Sequence, residues 1–408
     1  MRLVKKLQTA TSAAITAAAL LIAAASAGAQ QGITRDTITI GSFGSLSGPA
    51  AFVGLAGRDG MHLALKEINE AGGIHGRKLR VIFEDDGNSP TRALAAAKKL
   101  VEQDKVFAIF AAAGSNPISG TLDYVKEKGI VMYVSFASAP RVTLPFDRHL
   151  FRGGTTESAR YGELYSEFMV DYLKAKKIAI VSGRDEYAKN EGDFVTRQLK
   201  EVHGTAPAVR VEFNPGDKDF TPQLLEIQRA SPDVIAILGY PADAVIILRQ
   251  ARELGLNQRF FVGATMVEES VIKNAGQAAE GISGFTLLPH LPTSNHPAMV
   301  AWLAKWKKEY PNAPAGRPNL FDVLGYNDMY AFAEGLRNAG PEPTTEKLIA
   351  GLEKLNGYRV GPTANPITFT SKHHVGNLRL QPKMVKNGAW QNVDWESKRE
   401  SAILKRYE

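Results

Sequence analysis

The chain has 408 residues, with 49 Lys and Arg against 42 Asp and Glu, and contains no cysteine. The lack of cysteine excludes disulfides, thiol nucleophiles and thiolate-bound metals. Basic and acidic residues are interspersed, so no concentrated basic face marks a nucleic-acid partner, and the length suffices for two domains stabilised by core burial alone.

Arg2, Lys5 and Lys6 precede an apolar run from about Ala13 to Ala25, which ends in the small residues Ala27-Gly28-Ala29. This layout predicts a secretory signal over residues 1–29, cleaved after Ala29, and therefore a periplasmic location. The run is too short and too rich in alanine for a membrane span. No later run is long enough to cross a bilayer, so the expected mature protein is soluble.

From Thr37 onward, strand-like and helix-like stretches alternate. Thr37–Phe43 reads as a strand, and a helix follows over about Gly54–Ala71, where Met61, Leu65 and Ile68 recur at helical spacing. Lys78–Glu84 reads as the next strand, and Ser89-Pro90 opens a helix through about Asp104. Val106–Ala111 and Ile130–Val134 read as strands around a helix over Pro117–Lys128, with Asn116 as its expected cap. The rhythm pauses around Phe151–Thr156 and restarts with a long helix over Ser158–Lys174. Strands over Lys177–Ser182, Ala208–Phe213, Val234–Leu238 and Arg259–Val262 then alternate with helices. Such an order implies two α/β lobes built on parallel sheets with helices on both faces. After Gly281 come a strand (Gly284–Pro289) and a helix over His296–Tyr310, with Trp302 and Trp306 read as core. Helices around Asn327–Ala339 and Thr344–Leu355 follow. A β-like tail (Ile367–Thr370, Leu378–Gln381) ends in a hairpin, Met384–Val393, that turns on Asn387-Gly388.

Enzyme signatures are absent: there is no G-x-S-x-G elbow, Walker A loop, G-x-G-x-x-G after a strand, or H-E-x-x-H. His373-His374 reads as a solvated turn, with no further ligand at metal spacing. Asp85-Asp86 reads as a turn or cap, because no Ca²⁺-loop spacing follows. No catalytic residue, cofactor site or metal site is expected. Chemistry gathers instead in loops after successive strands. In the first lobe these are Ser45–Gly48, Gly114-Ser115-Asn116 and Ser135–Ser138. In the second they are Asp185-Glu186-Tyr187, Gly239-Tyr240-Pro241 and Gly263-Ala264-Thr265. Loops at the C-terminal ends of parallel strands are where open α/β sheets bind ligands. Two facing lobes can thus supply one cleft with hydroxyls, backbone donors and tyrosine walls.

Several stretches, in this order and spacing, make the sequence resemble a family. They are Gly44-Ser45-Leu46-Ser47-Gly48-Pro49, Ala64–Gly76 (ALKEINEAGGIHG), Phe83–Pro90 (FEDDGNSP), Gly129–Pro140, Asp217-Lys218-Asp219-Phe220, Ile247–Gly255 (ILRQARELG) and Ala279-Glu280-Gly281. From Ile38 to about Val393 the chain resembles the type I periplasmic binding proteins of the leucine/isoleucine/valine branch, the extracytoplasmic receptors of amino-acid ABC transporters. The resemblance implies two doubly wound lobes joined by three hinge crossings, near Gly153, Gly281 and Leu378. Lobe 1 is then 30–153 and 282–378, and lobe 2 is 154–281 and 379–408. It further implies that Ser115, Phe136, Ala137 and Ser138 bind a ligand carboxylate, that Ser138 also holds an α-amine, and that Tyr187 and Tyr240 close over the ligand. The expected partners are a small amino acid or carboxylate and the membrane permease subunits, with the receptor a monomer.

Two positions depart from the family pattern. Thr265 stands where amino-acid-binding members place a glutamate for the ligand ammonium, and an ammonium buried without a carboxylate carries a large desolvation cost. Either Glu268 or Glu269 reaches in, or the ligand lacks an amine. Phe136 adds an aromatic surface where smaller residues are usual, and Phe43 and Phe52 are candidates for the same side. The expected function is delivery of a branched-chain or other hydrophobic amino acid to an ABC transporter. The alternatives are the same role for an aromatic or aliphatic carboxylate or an amide, and a sensor feeding a membrane receptor. An exported enzyme is disfavoured, because the loops offer no nucleophile–base pair.

Overall fold

In the computed structural model, residues 30–48, 50–112, 114–360, 364–399 and 401–407 are described; the expected signal segment lies outside them. The first sheet takes every strand up to residue 152. Its elements are β1 (Thr37–Gly44), α1 (Ala51–Glu70), β2 (Lys78–Asp85), α2 (Pro90–Lys98), β3 (Ile109–Ala111), α3 (Ser115–Ser119), α4 (Leu122–Lys128), β4 (Met132–Val134) and β5 (Leu150–Arg152). These strands pair in parallel in the order β2-β1-β3-β4-β5. β5 occupies the stretch that sequence reads as a pause: Leu150 and Phe151 are buried, but three residues are too few to show an alternating pattern.

The second sheet begins after the chain crosses over. It comprises α5 (Ser158–Glu167), β6 (Ile178–Gly183), α6 (Glu186–Glu201), β7 (Val209–Phe213), α7 (Thr221–Ala230), β8 (Val234–Leu238), α8 (Pro241–Glu253), β9 (Arg259–Val262), α9 (Glu269–Ala275) and β10 (Ser283–Thr286). The chain then returns to the first lobe for α10 (Pro297–Glu309), α11 (Leu320–Asn338) and α12 (Thr345–Glu353). It crosses once more to add β11 (Gln381–Lys386), β12 (Ala389–Asn392) and the short α13 (Ala402–Arg406). The order β12-β11-β10-β9-β8-β6-β7 is parallel from β7 to β10 and antiparallel at the added hairpin. The architecture is α/β with two lobes, the second mixed rather than wholly parallel.

Several sequence expectations are corrected. β10 pairs with β9, so the second crossover follows Thr286 and not Gly281. The stretches 367–370 and 378–380 form no strand; the bridges Tyr358–Ile367 and Thr370–His373 are isolated. α11 starts at Leu320, seated by an Asn319–Asp322 capping box. His374 is buried rather than solvated, its ring stacked 3.7 Å from that of Phe151, and burial lowers its pKa to about 4. Trp302 and Trp306, by contrast, are core as expected.

The lobe 1 scaffold rests on close approach of α1 and α11. A Cβ on Gly60 would lie 1.9 Å from the Asp322 carbonyl oxygen, and one on Gly325 would lie 2.3 Å from that of Gly57. The three crossings are tied to one another and to the lobe. Asp328 accepts from the Gly154 amide at 3.1 Å, and the Asn377 amide donates to the Gly154 carbonyl at 2.9 Å. Asn365 donates to the carbonyls of Leu287 and Arg379 at 2.7 and 3.2 Å.

Candidate functional site

Between the lobes lies a cavity of about 520 Å³, its open mouth included. The strand–loop–helix turns aim their residues at it from both sides. From lobe 1 come Ser45, Gly114, Ser115, Phe136 and Ser138. From lobe 2 come Tyr187, Tyr240 and Thr265, while Thr155, Tyr161 and Leu287 reach it from the crossings and α5. Ala50, Val53 and Phe321 add apolar wall from α1 and α11. No lining side chain carries a charge.

Six of the seven expected site residues thus meet here. The exception is Ala137, which packs into the hydrophobic core behind the loop. Asn116 is not a cap: α3 starts at Ser115 after Gly114, whose φ of 93° suits glycine, and the Asn116 amide donates to the Asn88 carbonyl. Phe43 is core rather than wall. Phe52 is not part of the cavity lining either; its ring lies 5.9 Å from that of Tyr240 and 5.8 Å from that of Phe321. Asp85 and Asp86 serve the turn, accepting from the amides of Leu46, Gly87 and Asn88 and from Ser45 and Ser47. Phe321, Leu287, Thr155 and Tyr161 escape sequence reading. None follows a strand-end loop signal, and only the crossings and the α1–α11 contact bring them in.

The two ends of the cavity differ in hydrogen bonding. At the lobe 1 end, the Ser115 hydroxyl oxygen accepts from the backbone amides of Ser138 and Ala139 at 3.2 and 3.3 Å, which leaves its proton free to donate. Ser138 lies 3.0 Å from the Ser158 hydroxyl, which also donates to the Ser138 carbonyl. At the lobe 2 end, Tyr187 donates to Glu191 at 3.0 Å, Tyr240 to Asp185 at 3.1 Å, and Thr265 to the Gly239 carbonyl at 2.7 Å.

The carboxylates stand behind this wall. Glu191 is fully buried, with one oxygen accepting from Tyr187 and the other unpartnered; burial pushes its pKa up to about 8. Burial also raises Asp185. Glu268 does not enter the cavity. It is buried at the lobe interface, where it accepts from the Leu320 amide at 2.9 Å, and burial raises it to about 8. Glu269 lies on outer grooves. A second contact across the cleft joins the Ser119 hydroxyl to Glu186 at 2.9 Å. Among the described residues, no group of three or more His, Asp or Glu side chains is placed to hold a metal, and no helix is long and apolar enough to cross a membrane.

Residues 37–388 match the family model described as periplasmic binding protein. The chain is 29% identical over 352 residues to the leucine-, isoleucine-, valine-, threonine- and alanine-binding protein of Pseudomonas aeruginosa, a match covering 86% of this chain and 90% of that one. Its fold is similar to that of a branched-chain amino acid ABC transporter protein from Thermus thermophilus with bound valine, at TM-score 0.82 and 18% identity over 92% of this chain and 99% of that one. A fatty acid ABC transporter substrate-binding protein from Thermomonospora curvata gives TM-score 0.77 and 19% identity over 90% and 94%. With the family model spanning most of its length and two α/β lobes enclosing a cavity without catalytic groups, the chain belongs to the periplasmic binding protein family, whose members are non-enzymatic.

Proposed function

We propose that this protein is the extracytoplasmic receptor of an ABC transporter and that its ligand is a small hydrophobic carboxylate, or an amide, without an amine. One observation carries the ligand class: the cavity is lined by hydroxyls, glycine and apolar side chains, and by no carboxylate. Ser115 and the 136–138 segment receive the carboxylate or carbonyl. Phe136, Val53, Leu287 and Phe321 hold the apolar body. Tyr187, Tyr240 and Thr265 close over it as the lobes hinge about the three crossings. An ammonium against this wall would lose its hydration with no charge in contact. The permease is the partner, and the protein acts in the periplasm as a monomer after its leader is removed.

A second reading, a branched-chain or other hydrophobic amino acid, draws support from Glu191, one hydrogen bond behind Tyr187. Calorimetric titration with 4-methylpentanoate, 4-methylpentanamide and leucine separates the two readings. The amine-free compounds are expected to bind, and leucine to bind at least tenfold more weakly, the effect of about 1.4 kcal/mol. Leucine binding tighter than both overturns the amine-free assignment. Thr265→Glu is expected to reverse the order by returning a carboxylate to the wall.

A further inference from the structure

The three hydroxyls that the lobe 2 strand-end loops bring to the cavity have already committed their protons away from it, while Thr155 and Tyr161, which also line it, bond each other at 2.9 Å. Tyr187 has Glu191 at 3.0 Å as its nearer acceptor and Thr265 at 3.3 Å as a second, Tyr240 donates to Asp185, and Thr265 donates to the Gly239 carbonyl. A hydroxyl has one proton, so each of the three keeps only acceptor capacity for a ligand. Ser115 is the opposite case, since it accepts from two amides and keeps its proton. The cavity therefore has a donating end and an accepting end.

From this we infer that Glu191 is a positioning residue that sets ligand specificity through Tyr187, and that the ligand carries, besides its carboxylate or carbonyl, an uncharged hydrogen-bond donor such as a hydroxyl. The inference rests on the amine-free reading and narrows it to hydroxy acids and their relatives. Glu191 sits at i+4 from Tyr187 on α6, so the helix itself holds the pair in register. One Glu191 oxygen gathers the Tyr187 proton at 3.0 Å and stands 3.5 Å from the Tyr165 hydroxyl, which accepts from the Ala264 amide at 2.8 Å. This chain links the carboxyl to the backbone of the Gly263–Thr265 turn. A Cβ on Gly263 would come 2.9 Å from the other Glu191 oxygen, so the turn closes over the carboxyl and walls it off from the cavity. Glu191 acts on the ligand only by fixing which way the Tyr187 hydroxyl points. With its proton drawn inward, Tyr187 meets a ligand C–H or ether oxygen poorly and an O–H or amide N–H well.

Three acids of one skeleton test this: 4-methylpentanoate, 2-hydroxy-4-methylpentanoate and leucine. A second set tests it with an aromatic body: 3-phenylpropanoate, 3-phenyllactate and phenylalanine. The hydroxy acid of at least one set is expected to bind roughly tenfold tighter than its parent acid, the effect of one hydrogen bond gained against an otherwise unmet acceptor. Glu191→Gln keeps an oxygen to take the Tyr187 proton and should retain that preference. Tyr187→Phe removes the hydroxyl and should abolish it. Glu191→Leu leaves only the longer Thr265 contact to hold the Tyr187 proton, which can then turn into the cavity and donate, so 2-methoxy-4-methylpentanoate, weaker than the hydroxy acid on the parent protein, should approach it in affinity. A ratio between two ligands does not move with a uniform loss of stability or affinity, so a merely structural role for Glu191 leaves it unchanged. Equal binding of hydroxy and parent acids, a preference that survives Tyr187→Phe, or a methoxy acid as weak in Glu191→Leu as in the parent protein overturns the inference and leaves the receptor reading standing. Tightest binding of the amino acids overturns the uncharged donor together with the amine-free reading. Failure of all six compounds to bind overturns both.

Discussion

Ser115 joins the architecture of the lobe 1 loop to its chemistry, and Ser115→Ala tests the two together. The hydroxyl oxygen is the acceptor for the amides of Ser138 and Ala139, in a site where Ser115 and Ser138 are each only 2% exposed. Leaving a buried amide without a partner costs about 1–3 kcal/mol, and the long separations put each at the low end, so about 2 kcal/mol of stability should go. Binding should suffer in addition, because the freed serine proton is the donor offered to the ligand. A hydrogen bond to a charged group is worth about 1.5–3 kcal/mol, which corresponds to a loss of roughly tenfold to a hundredfold in affinity. Urea unfolding of the unliganded protein measures the first loss. Calorimetric titration with the tightest acid of the matched sets measures the second. Affinity within twofold of the parent would refute the placing of the carboxylate at this end, and unchanged stability would refute the assignment of the two amides to this oxygen.

The remaining expectations concern stability and closure. Burial raises both Glu191 and Glu268 to about 8, from an ordinary carboxyl value of 4.5. Their contribution is therefore full below the unfolded value and lost as pH rises through the folded one, so the melting temperature should fall between about pH 5 and 9. Glu268→Gln should flatten that slope in a pH series of thermal melts, and an unaltered slope would exclude Glu268 as its source. Gly60→Ala should destabilise by about 3 kcal/mol or prevent folding, because overpacking cannot be relieved against a backbone carbonyl 1.9 Å away; an unchanged urea midpoint would contradict the α1–α11 contact. Ser119→Ala removes the 2.9 Å contact with Glu186 across the cleft. It should weaken ligand binding a few-fold with little change in stability, since a part-exposed hydrogen bond contributes about 1 kcal/mol. Equal affinity would show that this contact takes no part in closure.

Much of the lobe pattern was legible because strand and helix periods differ, and because a loop follows each parallel strand at the same edge of its sheet. Ser115, Phe136, Ser138, Tyr187, Tyr240 and Thr265 were readable as one set for that reason: each sits just after a strand-like run. The absence of a carboxylate at Thr265 was equally plain. What sequence left open depends on contacts between distant residues. β5 was hidden because three residues carry no period, and β10 fell on the wrong side of a crossover because only pairing with β9 decides its sheet. Ala137 turned inward to pack with residues far from it in the chain. Phe321, Leu287 and Tyr161 joined the wall only when the crossings and the glycine-mediated contact of α1 with α11 brought them there. Glu191 is the sharpest case. In the sequence it is one acidic residue on the surface-like pattern of α6, and its role exists only because tertiary packing strips it of water and leaves it the Tyr187 and Tyr165 hydroxyls as partners. Local sequence thus determined which elements form and which residue types face the cleft. The direction of each hydrogen bond in that cleft, and hence what the ligand must offer, was decided by burial and by neighbours far away in the chain.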